Sequence, residues 1–146
     1  MTALAELRGL LRERAARLEQ PLPPVIVRTA PLGDGSPHIE MTGATLSYVV
    51  EERGKELRRR DGLSPDEAAY HLLRAATLEL ALAQESAARR NGYSRWNWMA
   101  PHIAMLRTMS PAWGKRLAGE YAEVLARHPL TGEERRWTHP RFGAPD

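Results

Sequence analysis

The sequence predicts an α+β fold: a small antiparallel sheet of three to four strands packed on a long central helix, with flanking helices. Three observations lead there. Residues 25–61 alternate short extended runs with glycine turns. "SPDEAAYHLL", residues 64–73, opens a run that is apolar nearly all round. "SPAWGKRLAGEYAEVLARHP", residues 110–129, opens a further helix and closes it at Pro129. At 146 residues the chain can bury a core without a covalent staple, and it has no cysteine to form one.

In chain order, Leu4, Leu7, Leu11 and Leu18 form a stripe with Leu10 beside it, which predicts an amphipathic helix over 3–19. Pro21, Pro23 and Pro24 end it, and Val25-Ile26-Val27 reads as a first short strand. "GDGSP" (33–37) reads as a turn, "HIEM" (38–41) as a second strand and "LSYVVEE" (46–52) as a third. Arg53-Gly54 makes the reversal, because tight hairpins need positive φ. "KELRRRD" (55–61) returns as a charged edge. Ser64, Pro65 and Glu67 supply an N-cap, a first-turn proline and a capping box. The helix they start should run to a stop near Gly92 as the central element. A third helix starts or kinks at Pro101. The fourth begins at Ser110-Pro111, with Leu117, Tyr121, Val124 and Leu125 as its stripe. These elements predict one domain over 1–130, its helices spanning 65–127. "TGEERRWTHPRFGAPD" (131–146) has no period and reads as a loose tail.

The formal charge is +3, and 19 of the 21 basic residues are Arg, but acidic residues are interspersed throughout. The longest basic run is Arg58-Arg59-Arg60, which is short for a polyanion-binding arm, so nucleic acid is disfavoured as a partner. Glu6, Arg8, Arg12, Glu13 and Arg14 stand among the leucines of the first twenty residues, so neither a signal peptide nor a membrane span is expected and the protein reads as cytoplasmic. His38, His71, His102, His128 and His139 lie far apart without the i, i+4 spacing of a helical metal site. No phosphate-cradling glycine loop or nucleophile elbow occurs. The residue pattern therefore indicates no catalytic group, no metal and no cofactor. His71 is the histidine expected in the core, and Glu79 or Glu85 reads as a carboxylate paired with an arginine. Trp96 and Trp98, with Tyr93, Met99 and Met105 nearby, cap the core or face a partner, since two tryptophans two apart cannot both point inward on one helix.

The stretch "HIEM…LSYVVEERGKELRRR…SPDEAAYHLLRAATLELALAQE" resembles the bacterial immunity protein 63 family. The likeness rests on Ile39, Glu40, Tyr48, Val49, Val50, Glu52, Arg53, Gly54, Glu56, Asp66, Glu67, Tyr70, Thr77 and Glu85 in register. "MSPAWGKRLAGEYAEVLARHPL" is similar to that family's closing helix, so the resemblance runs from about Ser36 to Leu130. His71, Ala75, Leu78 and Gln84 depart from its pattern, and the two-tryptophan stretch and the tail lie outside it.

The resemblance implies a non-enzymatic protein that binds and neutralises one cognate toxin domain encoded by a neighbouring gene. Self-association is left open. Tyr48, Glu52, Arg53, Gly54, Glu56, Tyr70 and Glu85 are then shared framework or binding residues. Arg58, Arg59, Arg60, Trp96 and Trp98 are the candidates for partner contact. The rival reading is a nucleic-acid-associated regulator using Arg58–Arg60 and the arginines of the first helix.

Overall fold

A computed structural model describes residues 2–145. The chain forms an α+β fold in two compact units, with one long helix running through both.

The first unit holds helix α1 (Ala3–Ala15), strands β1 (Asp34–Thr42), β2 (Thr45–Glu52) and β3 (Lys55–Leu63), and helix α2 (Pro65–Ala88) as far as Arg74. The sheet is antiparallel in the order β1-β2-β3. Both reversals are two-residue loops. In the second, Arg53 (φ 52°) and Gly54 (φ 77°) both adopt positive φ, as a type I′ hairpin requires. Cross-strand pairs put Tyr48 opposite Ile39 and Arg60, and Val49 opposite His38 and Arg59. The central strand β2 is buried on both faces, so Leu46, Ser47, Tyr48 and Val49 are all covered. Leu7 and Leu11 of α1, and Ala68, Tyr70, Leu72 and Leu73 of α2, complete this core. Each such Leu contributes about 1.5–3 kcal/mol by leaving water.

Three expectations change here. Val25-Ile26-Val27 forms no strand, and Ile26 is 67% exposed. Three nearby prolines remove ladder donors, and one backbone bond ties this segment to the sheet edge, Ile39 N–H to Arg28 O at 2.7 Å. The first helix stops at Ala15 rather than 19. The Ala16 N–H closes the helix onto the carbonyls of Arg12 and Arg14, ahead of Pro21. The 33–37 turn is a bulge within β1, between Asp34 and Pro37, where Ser36 N–H bonds Asp34 Oδ1 at 3.0 Å.

The second unit holds the rest of α2 with helices α3 (Trp96–Met109), α4 (Pro111–Arg127) and α5 (Gly132–Trp137), and a 3₁₀ turn at Pro140–Phe142. Its core is Ala81, Met99, Ile103, Met105, Leu106, Met109, Trp113, Leu117 and Tyr121. Helix α4 starts on the Ser110 side chain, which accepts from Trp113 N–H, with Pro111 in its first turn. Gly114 lets α4 approach α3 closely: a Cβ there would lie 2.5 Å from Arg107 Cβ. Helix α3 starts at Trp96, not at Pro101, which lies inside it. The earlier start is held by Ser94 Oγ, which accepts from Trp96 N–H, and by Glu134, which accepts from Arg95 N–H.

Within the segment expected to lack regular structure, Gly132–Trp137 form α5 and Pro140–Phe142 a 3₁₀ turn. Thr131 and Glu134 form a reciprocal capping box that starts α5, and the short T-x-x-E spacing is the signal that marks it in the sequence.

Candidate functional site

The "SYVVEERGKELRRR" stretch makes β2, the hairpin and most of β3, and its two faces differ. On the Val49 face, Arg59 is the hub of an ion-pair framework. Its guanidinium donates to Glu56 Oε1 (2.9 Å), Glu40 Oε1 (3.2 Å) and Asp61 Oδ1 (3.3 Å). Ser47 O–H donates to Asp61 Oδ1 at 2.7 Å, and His38 Nε2 lies 2.8 Å from Glu40 Oε2. The pKa values follow from these bonds. Asp61 is lowered first by Ser47 and then by Arg59, and Glu40 first by His38 and then by Arg59. Arg59 is raised by its three carboxylates, Glu56 foremost. Arg59 thus ties β3 to β1 across β2, which joins through Ser47 and Asp61.

On the Tyr48 face the exposed side chains of β3 are cations. Cross-strand register puts Arg58 opposite Val50, Arg60 opposite Tyr48 and Lys55 opposite Glu52. Burial raises the Tyr48 hydroxyl pKa, and the positive charges of Arg58, Arg74 and Arg60 oppose that rise. The Tyr48 ring lies 5.6 Å from His71, which in turn meets Tyr70 edge-on at 5.4 Å. Among the described residues, Arg58, Arg60 and Lys55 make no ion pair.

The remaining family-matched residues separate in space. Glu52 sits exposed at the end of β2, and Arg53 donates its backbone N–H to Gly33 O at 2.9 Å. Glu85 lies in the second unit, its side chain 4% exposed, receiving Arg89 Nε at 2.9 Å. It lines a cleft of about 380 Å³ together with Arg89, Trp137, His139 and Phe142. Glu79 is exposed.

Trp96 and Trp98 are both helical and both partly covered. Trp96 Nε1–H donates to Phe142 O at 3.2 Å, and Trp98 Nε1–H to Tyr93 Oη at 2.8 Å. The Trp98 ring meets Tyr121 edge-on at 5.8 Å. Arg95 receives the tail: Glu134 accepts from its Nε at 2.8 Å and its Nη2 at 2.9 Å, which lowers Glu134 to about 2.

Two further histidines are buried, which sequence reasoning missed. His38 is covered on the sheet. His102 bridges three helices, with Nε2 2.9 Å from Thr77 Oγ1 and Nδ1 2.7 Å from Tyr121 Oη. No periodic signal marks either as a core residue, because a histidine enters a core only where tertiary partners satisfy it. Among the described residues, no cluster of three or more His, Cys, Asp or Glu could hold a metal, and no helix is long and apolar enough to cross a membrane.

These features define an α+β protein whose charged side chains form a strand-clamping framework and a bare basic strand face. The family model of immunity protein 63 matches residues 43–123, more than half of the chain, and the chain belongs to that family of immunity proteins, in general toxin-neutralising proteins. The match takes in the hairpin, α2, α3 and most of α4, including the two-tryptophan stretch, while Ile39, Glu40 and the His128-Pro129 ending lie outside it. No curated protein and no solved structure matches the chain.

Proposed function

We propose that this protein neutralises one cognate toxin domain, encoded by a neighbouring gene, by stoichiometric protein–protein binding in the cytoplasm of the producing cell. The family match over residues 43–123 carries this reading. The distribution of charge supports it: Arg59, Glu56, Glu40 and Asp61 are engaged with one another, while Arg58 and Arg60 face outward and free. In this reading Arg59 and Glu56 are framework, and Arg58 and Arg60 contact the partner. Trp96 holds the tail through Phe142 O, Trp98 bonds Tyr93, and the partly exposed faces of the two indoles offer a second contact. Inhibition proceeds by occupation of the toxin's surface and needs no bond made or broken by the immunity protein. A stable complex of this kind buries about 1,200–2,000 Å².

The test is co-expression with the neighbouring toxin domain. Cells carrying the toxin alone should die, and cells that also carry this protein should survive. The two purified proteins should then co-elute at one-to-one stoichiometry. Death in both strains, with no complex on mixing, rejects the reading.

A further inference from the structure

We infer that the outer edge of β3 is a strand-addition site for an extended acidic segment of the partner, one with carboxylates at alternate positions. This rests on the toxin-binding reading above and names the surface and the chemistry it would use.

Sheet order leaves two edges, and they are not equivalent. The β1 edge is partly occupied, since Ile39 N–H is already bonded to Arg28 O. Among the described residues β3 pairs in the sheet with β2 alone, and all its residues from Lys55 to Gly62 are exposed. Its backbone N–H and C=O groups on the outer side are therefore available to a further strand.

The register is irregular at both ends of β3, between Leu46 and Tyr48 and between Val50 and Glu51 on its partner. Between those bulges, Arg58, Arg59 and Arg60 pair in regular order with Val50, Val49 and Tyr48. Bulges and charge are the usual protection of an edge against indiscriminate pairing. What they leave here is a short regular window with a definite sign on each face.

On one face of that window Arg59 is already neutralised by Glu40, Glu56 and Asp61. On the other, Arg58 and Arg60 stand two residues apart and, among the described residues, make no ion pair. A strand added to β3 points alternate side chains to each face, so carboxylates at i and i+2 would meet Arg58 and Arg60. Leu57, 55% exposed at the bulge, offers an apolar contact beside them. A second copy of this chain is a poor occupant, because its own Arg58 and Arg60 would be brought against the same charges.

The experiment uses the full chain and the purified toxin domain encoded beside its gene. Amide hydrogen exchange is recorded for this protein free and in the complex, and affinity is measured for three forms: wild type, Arg58→Glu/Arg60→Glu, and the charge-matched control Arg8→Glu/Arg12→Glu on α1. Protection should rise along residues 55–63 on binding. The β3 reversal should weaken binding by about tenfold or more while the α1 control leaves it unchanged, with the wild-type affinity falling as salt is raised. A wild-type complex that is indifferent to the β3 reversal, with protection gained elsewhere, overturns the strand-addition site and leaves the toxin-binding reading standing. Concentration-dependent doubling of mass in the free protein, with β3 protected, assigns the edge to a second copy instead. Absence of any wild-type complex removes both readings together.

Discussion

Arg53 is the one non-glycine residue with positive φ among the described residues, and it holds the first position of a type I′ turn where Asn is the favoured residue. Left-handed backbone costs a side-chain-bearing residue about 1–2 kcal/mol, less for Asn. Arg53→Asn should therefore raise stability by about 1 kcal/mol, read as a higher midpoint in urea. A lower midpoint would mean that the Arg53 side chain supports the fold. Glu134 gives the complementary case. Its folded pKa of about 2 lies below the ordinary 4.5, chiefly because Arg95 donates to it, with burial opposing. Its contribution is thus complete above about pH 4.5 and is lost as the pH falls toward 2. Wild type should exceed Glu134→Gln by about 2–3 kcal/mol at neutral pH, the gap closing across that acid window in denaturant titrations. A gap independent of pH would show that the charge is not its source. Neither site is prominent by residue type: Arg53-Gly54 is visible in the sequence as a turn, while the pairing of Arg95 with Glu134 spans 39 positions.

Helix starts were the most legible elements. Ser64-Pro65 and Ser110-Pro111 carry their signal within four residues, and both helices begin where the caps place them. The α3 start was not legible, because its cap is the carboxylate of Glu134 on another helix. The approach of α4 to α3 is also a matter of packing. Ala is about 1 kcal/mol better than Gly in a helix interior, so propensity alone favours Gly114→Ala. Contact with Arg107 Cβ and Cα, at 2.5 and 2.6 Å, opposes it. We expect a net loss of about 1–3 kcal/mol, visible in thermal unfolding. A stabilised variant would mean that the two helices separate without cost. The Val25–Val27 segment shows the opposite failure: three β-branched residues satisfy strand propensity, yet they find no continuous ladder beside them.

At the scale of the molecule, the net charge of +3 overstates the attraction for polyanions. Several arginines are matched by carboxylates at hydrogen-bonding distance: Arg59 in the first unit, and Arg89 and Arg95 in the second. What remains free on β3 is three cations, Lys55, Arg58 and Arg60, the two arginines alternating onto one strand face. Duplex DNA should therefore bind no tighter than about 10⁻⁴ M at physiological salt, as measured by fluorescence anisotropy. Submicromolar binding with a steep salt slope would put the rival reading, a nucleic-acid-associated regulator, ahead.

The sequence by itself determined the α+β class, the Arg53-Gly54 reversal, the long helix that Ser64-Pro65 starts and the family. Each of these rests on signals close together along the chain: a period, a cap, a turn dipeptide, a motif. Only the tertiary structure decided which charges are engaged and which are free. Arg58, Arg59 and Arg60 are identical letters in a row, and strand alternation turns the middle one into a clamp on Glu40, nineteen residues away, while its neighbours face solvent. It likewise decided that His102 is core and that the capping box of Thr131 and Glu134 starts a helix bonded to Arg95. An ion pair or a buried imidazole is stable only when its partner is brought within about 3 Å, and that distance is set by packing rather than by neighbours in sequence.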